Sequence, residues 1–234
     1  MTEEINFETY LNISPSKFLI YFFNKKKLIN LYEQEIKLEN NSDKIEFGYL
    51  NRFLEENIFK IEKLIGKFIK NICVIISDYK ISDLKFGIKK KNYHKTINQD
   101  FLKELVIDAK ELFNENCQNQ KILHILINRY IINGKSHFIF KENSIGDLFC
   151  IEIEFKYVDK EFINEVDKVL SRYQIKTLKY FDGKYLNDFF KADEVEPSKI
   201  FSKIQTGFND NEVEIVVKNR KKGGFFEKFF QLFS

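Results

Sequence analysis

Residue types that commonly carry catalytic chemistry are scattered along this sequence. His124 lies inside an apolar run, with no serine or cysteine nucleophile motif beside it and no second histidine at metal-ligand spacing. Glu152 and Glu154 are two residues apart, so they share one face of a predicted strand, where a solvated pair is more common than an acid–base pair. We therefore expect a packed structural histidine and a solvent-facing acidic pair. We expect no enzymatic activity, no cofactor and no metal.

The three cysteines are Cys73, Cys117 and Cys150. They lie far apart and form no C-x-x-C pair, so the sequence indicates neither a disulfide framework nor a zinc site. This pattern is typical of a protein in a reducing compartment, and we expect the cytoplasm.

The C-terminal residues 223–234 have chemistry of a different kind. On a helical wheel the apolar side chains fill one arc of roughly 160°, and the polar ones fill the remainder. The apolar residues are Phe225, Phe226, Phe229, Phe230, Leu232 and Phe233. The segment is too short to cross a bilayer and too apolar to remain in water without a partner. The pattern predicts an amphipathic helix that lies on a membrane surface.

A basic cluster comes immediately before this helix and consists of Lys218, Arg220, Lys221 and Lys222. Each of these cations adds on the order of 1 kcal/mol near an anionic leaflet. Each buried phenylalanine adds about 1.5 to 3 kcal/mol, reduced by the cost of ordering a short helix. Gly223 and Gly224 form a hinge between the basic cluster and the amphipathic helix. The alternative is a helix that packs on the protein's own core or on a partner protein; we favour reversible binding to anionic lipid.

Composition and charge limit the classes of protein to which this chain can belong. The chain has 234 residues, of which 44% are hydrophobic and 31% charged, so it is long enough for one or two compact domains. The net charge of +3 does not favour a broad nucleic-acid-binding surface, and we expect no nucleic acid as a partner. The acidic start of the chain lacks the features of a secretory signal, and no stretch is apolar enough to span a membrane.

Hydrophobic periodicity predicts alternating strands and helices. The predicted strands cover residues 17–23, 28–38, 72–77, 84–90, 121–132, 147–157, 175–181 and 212–218. The predicted helices cover residues 50–68, 98–113 and 159–173, with a short helix beginning at Asp182. Asn98 and Asp159 are expected to cap their helices. The pattern is typical of an α/β or α+β protein.

Three segments carry a resemblance to a known family. The segment from Leu11 to Lys17 leads into an apolar strand, a later acidic helix is followed by Leu123, His124 and Tyr130 in a strand, and the tail is a short amphipathic helix. Together they resemble FtsA, the actin-like cell-division protein. In its first phosphate loop FtsA has an Asp and a Gly where Asn12 and Ser14 stand here.

The resemblance implies an actin-like, ribonuclease-H-like subdomain with an inserted strand-helix-strand-strand subdomain. The implied units are residues 1–83 with 174–196 for the actin-like subdomain, 84–173 for the insert, 197–222 for a linker with a short strand, and 223–234 for the membrane-targeting helix. The second actin-like lobe has no counterpart in the sequence. An actin-type nucleotide site lies between two lobes, so we expect no ATP binding.

The family also implies a role in cell division. It predicts a peripheral protein on the cytoplasmic face of the bacterial inner membrane that tethers FtsZ or other division proteins, with self-association as a further property. In the family, FtsZ binding lies mainly in the lobe without a counterpart here. The alternatives are a module similar to PilM, the pilus-assembly relative, or an unrelated membrane-associated scaffold.

Overall fold

A computed structural model describes residues 7–38, 44–190, 209 and 211–213. Its architecture is mixed α/β, built on two main sheets and four helices in these ranges. The helices are α1 (Phe47–Ile65), α2 (Gln99–Asn116), α3 (Lys160–Ser171) and α4 (Gly183–Phe190). Within the described ranges, no helix has the length and hydropathy required to cross a bilayer.

The first sheet has five strands. They are β1 (Phe7–Ile13), β2 (Lys17–Asn24), β3 (Ile29–Lys37), β4 (Asn71–Ile76) and β11 (Lys176–Asp182), in the spatial order β11-β4-β1-β2-β3. Strands β1, β4 and β11 run parallel, whereas β2 is antiparallel to both of its neighbours. This strand order is that of a ribonuclease-H-like subdomain, so the actin-like fold expected from the sequence is confirmed at the level of topology.

Helices α1 and α3 cover one face of this sheet, and α4 covers part of the other. The side chains of α1 that recur at helical spacing, including Leu50, Leu54 and Ile61, are buried against Leu11 and Val74 of the sheet. On the opposite face, Tyr185 and Leu186 of α4 pack with Phe181. Because both faces are covered, the central strands are almost continuously apolar.

The second main sheet has four strands. They are β5 (Ser82–Lys91), β7 (Gln120–Ile132), β8 (Lys135–His137) and β10 (Leu148–Asp159), in the order β5-β10-β7-β8 and antiparallel throughout. A separate two-stranded ladder joins β6 (Thr96–Ile97) to β9 (Ser144–Ile145). Helix α2 packs Leu105 and Phe113 against Ile153 and Phe155 of the four-stranded sheet. The strand-helix-strand-strand pattern expected for the insert is present as β5, α2, β7 and β10.

The capping residues predicted from sequence are confirmed. The side chain of Asn98 accepts a hydrogen bond from the N–H of Phe101, and that of Asp159 accepts one from the N–H of Glu161, both at 2.9 Å. Each cap satisfies a backbone donor that the first helical turn leaves without a partner. The α1 helix begins slightly earlier than predicted, at Phe47.

Strand β1 was missed from the sequence. Glu8, Thr9 and Asn12 interrupt its apolar run, and the segment from Leu11 to Lys17 resembles a phosphate loop in sequence. The strand is nevertheless central in the sheet, with Tyr10, Leu11 and Ile13 completely buried. Pairing on both sides therefore outweighs a sequence pattern that is weak by itself.

The division of the chain into units 1–83 with 174–196, 84–173, 197–222 and 223–234 stays a prediction. Helix α3 falls within residues 84–173, the predicted insert, but it packs in the core of the first sheet. Its residues Phe162, Val166 and Leu170 are buried there. The helix thus contributes to the core that the N-terminal strands build.

Candidate functional site

The residues predicted to bind membrane lie outside the described residues. They are Lys218, Arg220, Lys221, Lys222, Phe225, Phe226, Phe229, Phe230, Leu232 and Phe233. Their assignment stays a prediction. The structure instead describes three regions of the folded chain: the turn between β1 and β2, the cleft beside it, and the junction that holds the chain just before the tail.

The turn between β1 and β2 lies in the segment whose sequence resembles the first phosphate loop of FtsA, and its groups form hydrogen bonds to one another within the turn. The N–H of Ser14 donates to the carbonyl oxygen of Lys17 at 3.0 Å, and the N–H of Lys17 donates to Oγ of Ser14 at 3.0 Å. Pro15 has no N–H to offer. Phosphate loops bind anions with backbone N–H groups that point at the ligand, so this turn has few donors left.

The side chains of the turn also have polar partners within the folded chain. Ser14 is fully buried, and its Oγ lies 3.2 Å from Oγ of Ser16. The ammonium of Lys17 lies 3.2 Å from Oε2 of Glu35 on β3. Ser16 and Lys17 therefore form the turn into β2, as expected from the sequence.

A cleft of about 760 Å³ lies beside this turn, at the carboxyl ends of β1, β4 and β11. Its carboxylates are Glu33, Glu35, Asp78, Asp83, Glu154, Asp182 and Asp188, and its lysines are Lys17, Lys85, Lys156 and Lys184. Carboxylates outnumber ammonium groups, so the cleft repels a polyphosphate that arrives without cations.

Lys156 stands at the centre of the charges in the cleft. Its ammonium lies 2.9 Å from Asp83, 3.4 Å from Glu154 and 3.6 Å from Asp182. Burial alone would lower the pKa of Lys156, but the hydrogen bond to Asp83 and the charges of the three carboxylates outweigh burial, so the pKa is raised. Lys156 therefore stays protonated and joins β5, β10 and β11.

The prediction that both acidic residues on β10 face solvent is wrong for Glu154. Only 7% of this residue is exposed, because the cleft encloses it. Burial alone would raise its pKa, but hydrogen bonds from Asn128 and Lys85 and the charge of Lys156 hold the pKa below its ordinary value. Glu152, in contrast, lies nearer the surface, 2.6 Å from Nε of Arg129. The alternation pattern could not show that the first sheet covers part of this face.

His124 forms the junction between the two sheets and is 1% exposed, as expected of a packed histidine. The backbone N–H of Asp182 donates to its Nε2 at 2.9 Å, so Nε2 must be an acceptor. Its Nδ1 lies 2.8 Å from Oε1 of Glu212 and carries the proton that this bond requires. The ring thus connects β7 with β11 and with the chain at Glu212.

Glu212 also accepts a hydrogen bond from Tyr185 at this junction. The hydroxyl of Tyr185 donates to its Oε2 at 3.1 Å, and Nδ2 of Asn209 donates to the same hydroxyl oxygen at 2.6 Å. Burial alone would raise the pKa of Glu212, but the bond to His124, the charge of Lys179 and the hydroxyl of Tyr185 outweigh it, so the pKa is lowered. Burial and the charge of Glu212 raise the pKa of Tyr185.

Residues 211–213 add to the edge of β7. The N–H of Ile127 donates to the carbonyl oxygen of Asn211 at 2.9 Å, and the N–H of Val213 donates to that of Ile125 at 2.8 Å. Glu212 forms an antiparallel bridge with Leu126. The strand predicted over 212–218 is thus present as this bridge at its start, and the remainder lies outside the described residues.

Sequence reasoning missed Glu212, Asp182 and Lys156 as organising residues. The sequence pattern marks Asp182 only as the start of a helix and Glu212 only as the start of a strand. Lys156 and Glu154 are charged residues inside an apolar run, which is a signal for a buried charge. The same pattern is equally typical of a strand with one solvated face. Their partners are distant in sequence and meet only in the folded chain.

Among comparisons with known proteins, only the comparison with solved structures found matches. No protein-family model and no curated protein matches the chain. Among solved structures, the chain is similar to a PilM-PilN type IV pilus biogenesis complex, with 10% identity, a TM-score of 0.46 and coverage of 78% of this chain and 49% of that one.

Two further solved structures are similar to this chain. The cytoplasmic domain of EpsL, an inner membrane component of the type II secretion system of Vibrio cholerae, matches at 7% identity and a TM-score of 0.34, over 75% of this chain and 56% of that one. A Bacteroides thetaiotaomicron protein described as having an actin-like ATPase fold and unknown function matches at 14% identity and a TM-score of 0.33, over 81% and 57%. The chain therefore spans about half the length of these structures.

Proposed function

We propose that this protein is a non-catalytic adaptor of the FtsA type. The C-terminal segment holds it on the cytoplasmic face of the inner membrane, and the folded part presents a surface for FtsZ or another division protein. The proposal rests on the actin-like topology, on the closed turn between β1 and β2, and on the amphipathic pattern of the tail.

The observation that carries the non-catalytic part is the closed turn. The N–H of Ser14 donates to the carbonyl oxygen of Lys17 and the N–H of Lys17 donates to Oγ of Ser14, so these two backbone donors are already satisfied. Lys17 is paired with Glu35, and the adjoining cleft carries more carboxylates than lysines. A nucleotide would have to displace these bonds and also overcome repulsion.

The membrane part is supported by the sequence of the tail and by the position of residues 211–213, the described residues nearest to it. Residues 211–213 are bound to the edge of β7, and Glu212 is fixed by His124. The basic residues Lys218 to Lys222 follow within a few residues. An amphipathic segment attached at such a short distance from a folded unit would hold that unit close to the lipid.

The tether function is tested by co-sedimentation of FtsZ with vesicles that contain anionic lipid, with and without the full chain. We expect FtsZ polymers to pellet with vesicles only when the chain is present. A Phe229→Asp variant should leave FtsZ in the supernatant, because an aspartate on the apolar arc opposes insertion. FtsZ that stays in solution while the wild-type chain itself pellets would contradict the FtsZ tether and leave another division protein as the partner.

A further inference from the structure

Four lysines from four different elements converge beside the point where residues 211–213 bind β7. They line a hollow of about 310 Å³ and are Lys110 of α2, Lys121 of β7, Lys160 of α3 and Lys179 of β11. We refer to these four residues as the lysine face. Of the described residues that line the hollow, Glu212 alone carries a carboxylate. This carboxylate is already hydrogen-bonded to His124 and Tyr185.

The positive charge of the lysine face is only partly balanced. Within the described part of the chain, no carboxylate lies at ion-pairing distance from Lys110 or Lys121. Lys160 donates to the carbonyl oxygen of Gln118, which does not neutralise its charge. Lys179 lies 3.9 Å from Glu212 and above the ring of Phe181. Such a surface attracts anions, and its attraction weakens with added salt.

The last described residues before the tail lie at this same hollow. Val213 lines it, and the N–H of Val213 donates to the carbonyl oxygen of Ile125, so the described residue nearest to the tail is bound to β7. Lys218 follows five residues later, a distance of at most about 17 Å even in a fully extended chain. The electrostatic screening length at physiological salt is about 8 Å. When Lys218 lies at the lipid surface, Val213 is therefore within about two screening lengths of that surface.

We propose that the lysine face is a second lipid-contacting surface, which binds anionic headgroups beside the tail. This inference rests on the proposed membrane attachment and adds an orientation to it: β7 and the ends of α2 and α3 face the lipid. The attachment point lies within the lysine face, so this face approaches the membrane more closely than the far edge of the first sheet. Charge complementarity and the short connection identify an anionic lipid surface as the occupant.

The test is co-sedimentation of the full chain with vesicles of phosphatidylcholine, alone or mixed with anionic phosphatidylglycerol. The variant is Lys110→Gln with Lys121→Gln, which removes two charges from exposed or half-exposed positions. The matched control is Lys26→Gln with Lys27→Gln. These lysines lie in the turn between β2 and β3, at the edge of the first sheet opposite to β11.

We expect the Lys110/Lys121 variant to bind the anionic vesicles about tenfold more weakly than the wild type, and the control to bind as the wild type does. The difference should disappear at high salt and on phosphatidylcholine alone. A Lys110→Glu, Lys121→Glu variant should bind more weakly still. Equal thermal unfolding temperatures for all variants would exclude a folding defect as the cause.

Two results would overturn the inference, and they are distinguishable. A wild-type chain that binds no vesicle would overturn membrane attachment itself, and the lysine face with it. A wild-type chain that binds anionic vesicles, together with a Lys110/Lys121 variant that binds them equally well, would overturn the lysine face alone and leave the tail as the sole contact.

Discussion

At the scale of single residues, Glu212 links parts of the chain that are distant in sequence. It accepts hydrogen bonds from His124 on β7 and from Tyr185 on α4, while its own backbone bridges to Leu126. His124 was identified from sequence as a buried residue, but its partner was not. A histidine in an apolar run indicates burial, whereas the carboxylate that satisfies it lies 88 positions away.

Removing this carboxylate should destabilise the folded chain. In Glu212→Ala the Nδ1 proton of His124 has no acceptor, and we expect the free energy of unfolding at neutral pH to fall by about 1 to 3 kcal/mol. Urea denaturation measures this difference. Glu111→Ala is the control, because Glu111 is an exposed residue on α2, and it should change stability by less than about 0.5 kcal/mol.

The same contact has a defined pH dependence. The pKa of Glu212 is lower in the folded chain than its ordinary value, so its contribution is present at neutral pH and is lost as the pH falls through that lowered pKa. The stability gap between the wild type and Glu212→Ala should therefore shrink in acid. An alanine variant as stable as the wild type at neutral pH, or a gap that persists unchanged in acid, would contradict this role of Glu212.

At the scale of elements, the sequence predicts the long and strongly periodic segments well. The hairpin of β2 and β3, the helices, and the caps at Asn98 and Asp159 all lie where periodicity and capping chemistry place them. Strand β1 was missed because its polar residues break the apolar run, and only pairing with β2 and β4 explains its burial. Local pattern is informative where one element buries one face, and less so for a central strand.

The turn between β1 and β2 leads to a prediction at this scale. Because the backbone donors of Ser14 and Lys17 are satisfied within the turn, we expect no saturable ATP binding by calorimetry at about 1 mM nucleotide with Mg²⁺ present. This concentration is the weak end of usual substrate affinities. Lys17→Ala should give the same result as the wild type. Saturable binding that Lys17→Ala abolishes would show that the turn opens to hold phosphate, and would contradict an adaptor without ATPase activity.

At the scale of the whole molecule, two sheets share one junction, and the chain that leads to the tail is bound there. The mixed α/β class follows from the alternation of elements, whereas the ribonuclease-H-like strand order was expected only from the resemblance to FtsA. The charged cleft around Lys156 and the convergence of the lysine face could not be predicted from the sequence, because each brings together residues from several elements. The amphipathic pattern of the tail, in contrast, can be recognised from the sequence alone.

The central claim is that residues 223–234 attach this chain to a membrane surface, and co-sedimentation with anionic vesicles tests it most directly. The decisive variant is Phe229→Asp, and the matched control is Phe68→Asp, since Phe68 lies just after α1 and is 81% exposed. We predict that the wild type and Phe68→Asp pellet with the vesicles, whereas Phe229→Asp binds at least about tenfold more weakly. Vesicle binding by Phe229→Asp equal to that of the wild type would contradict the claim.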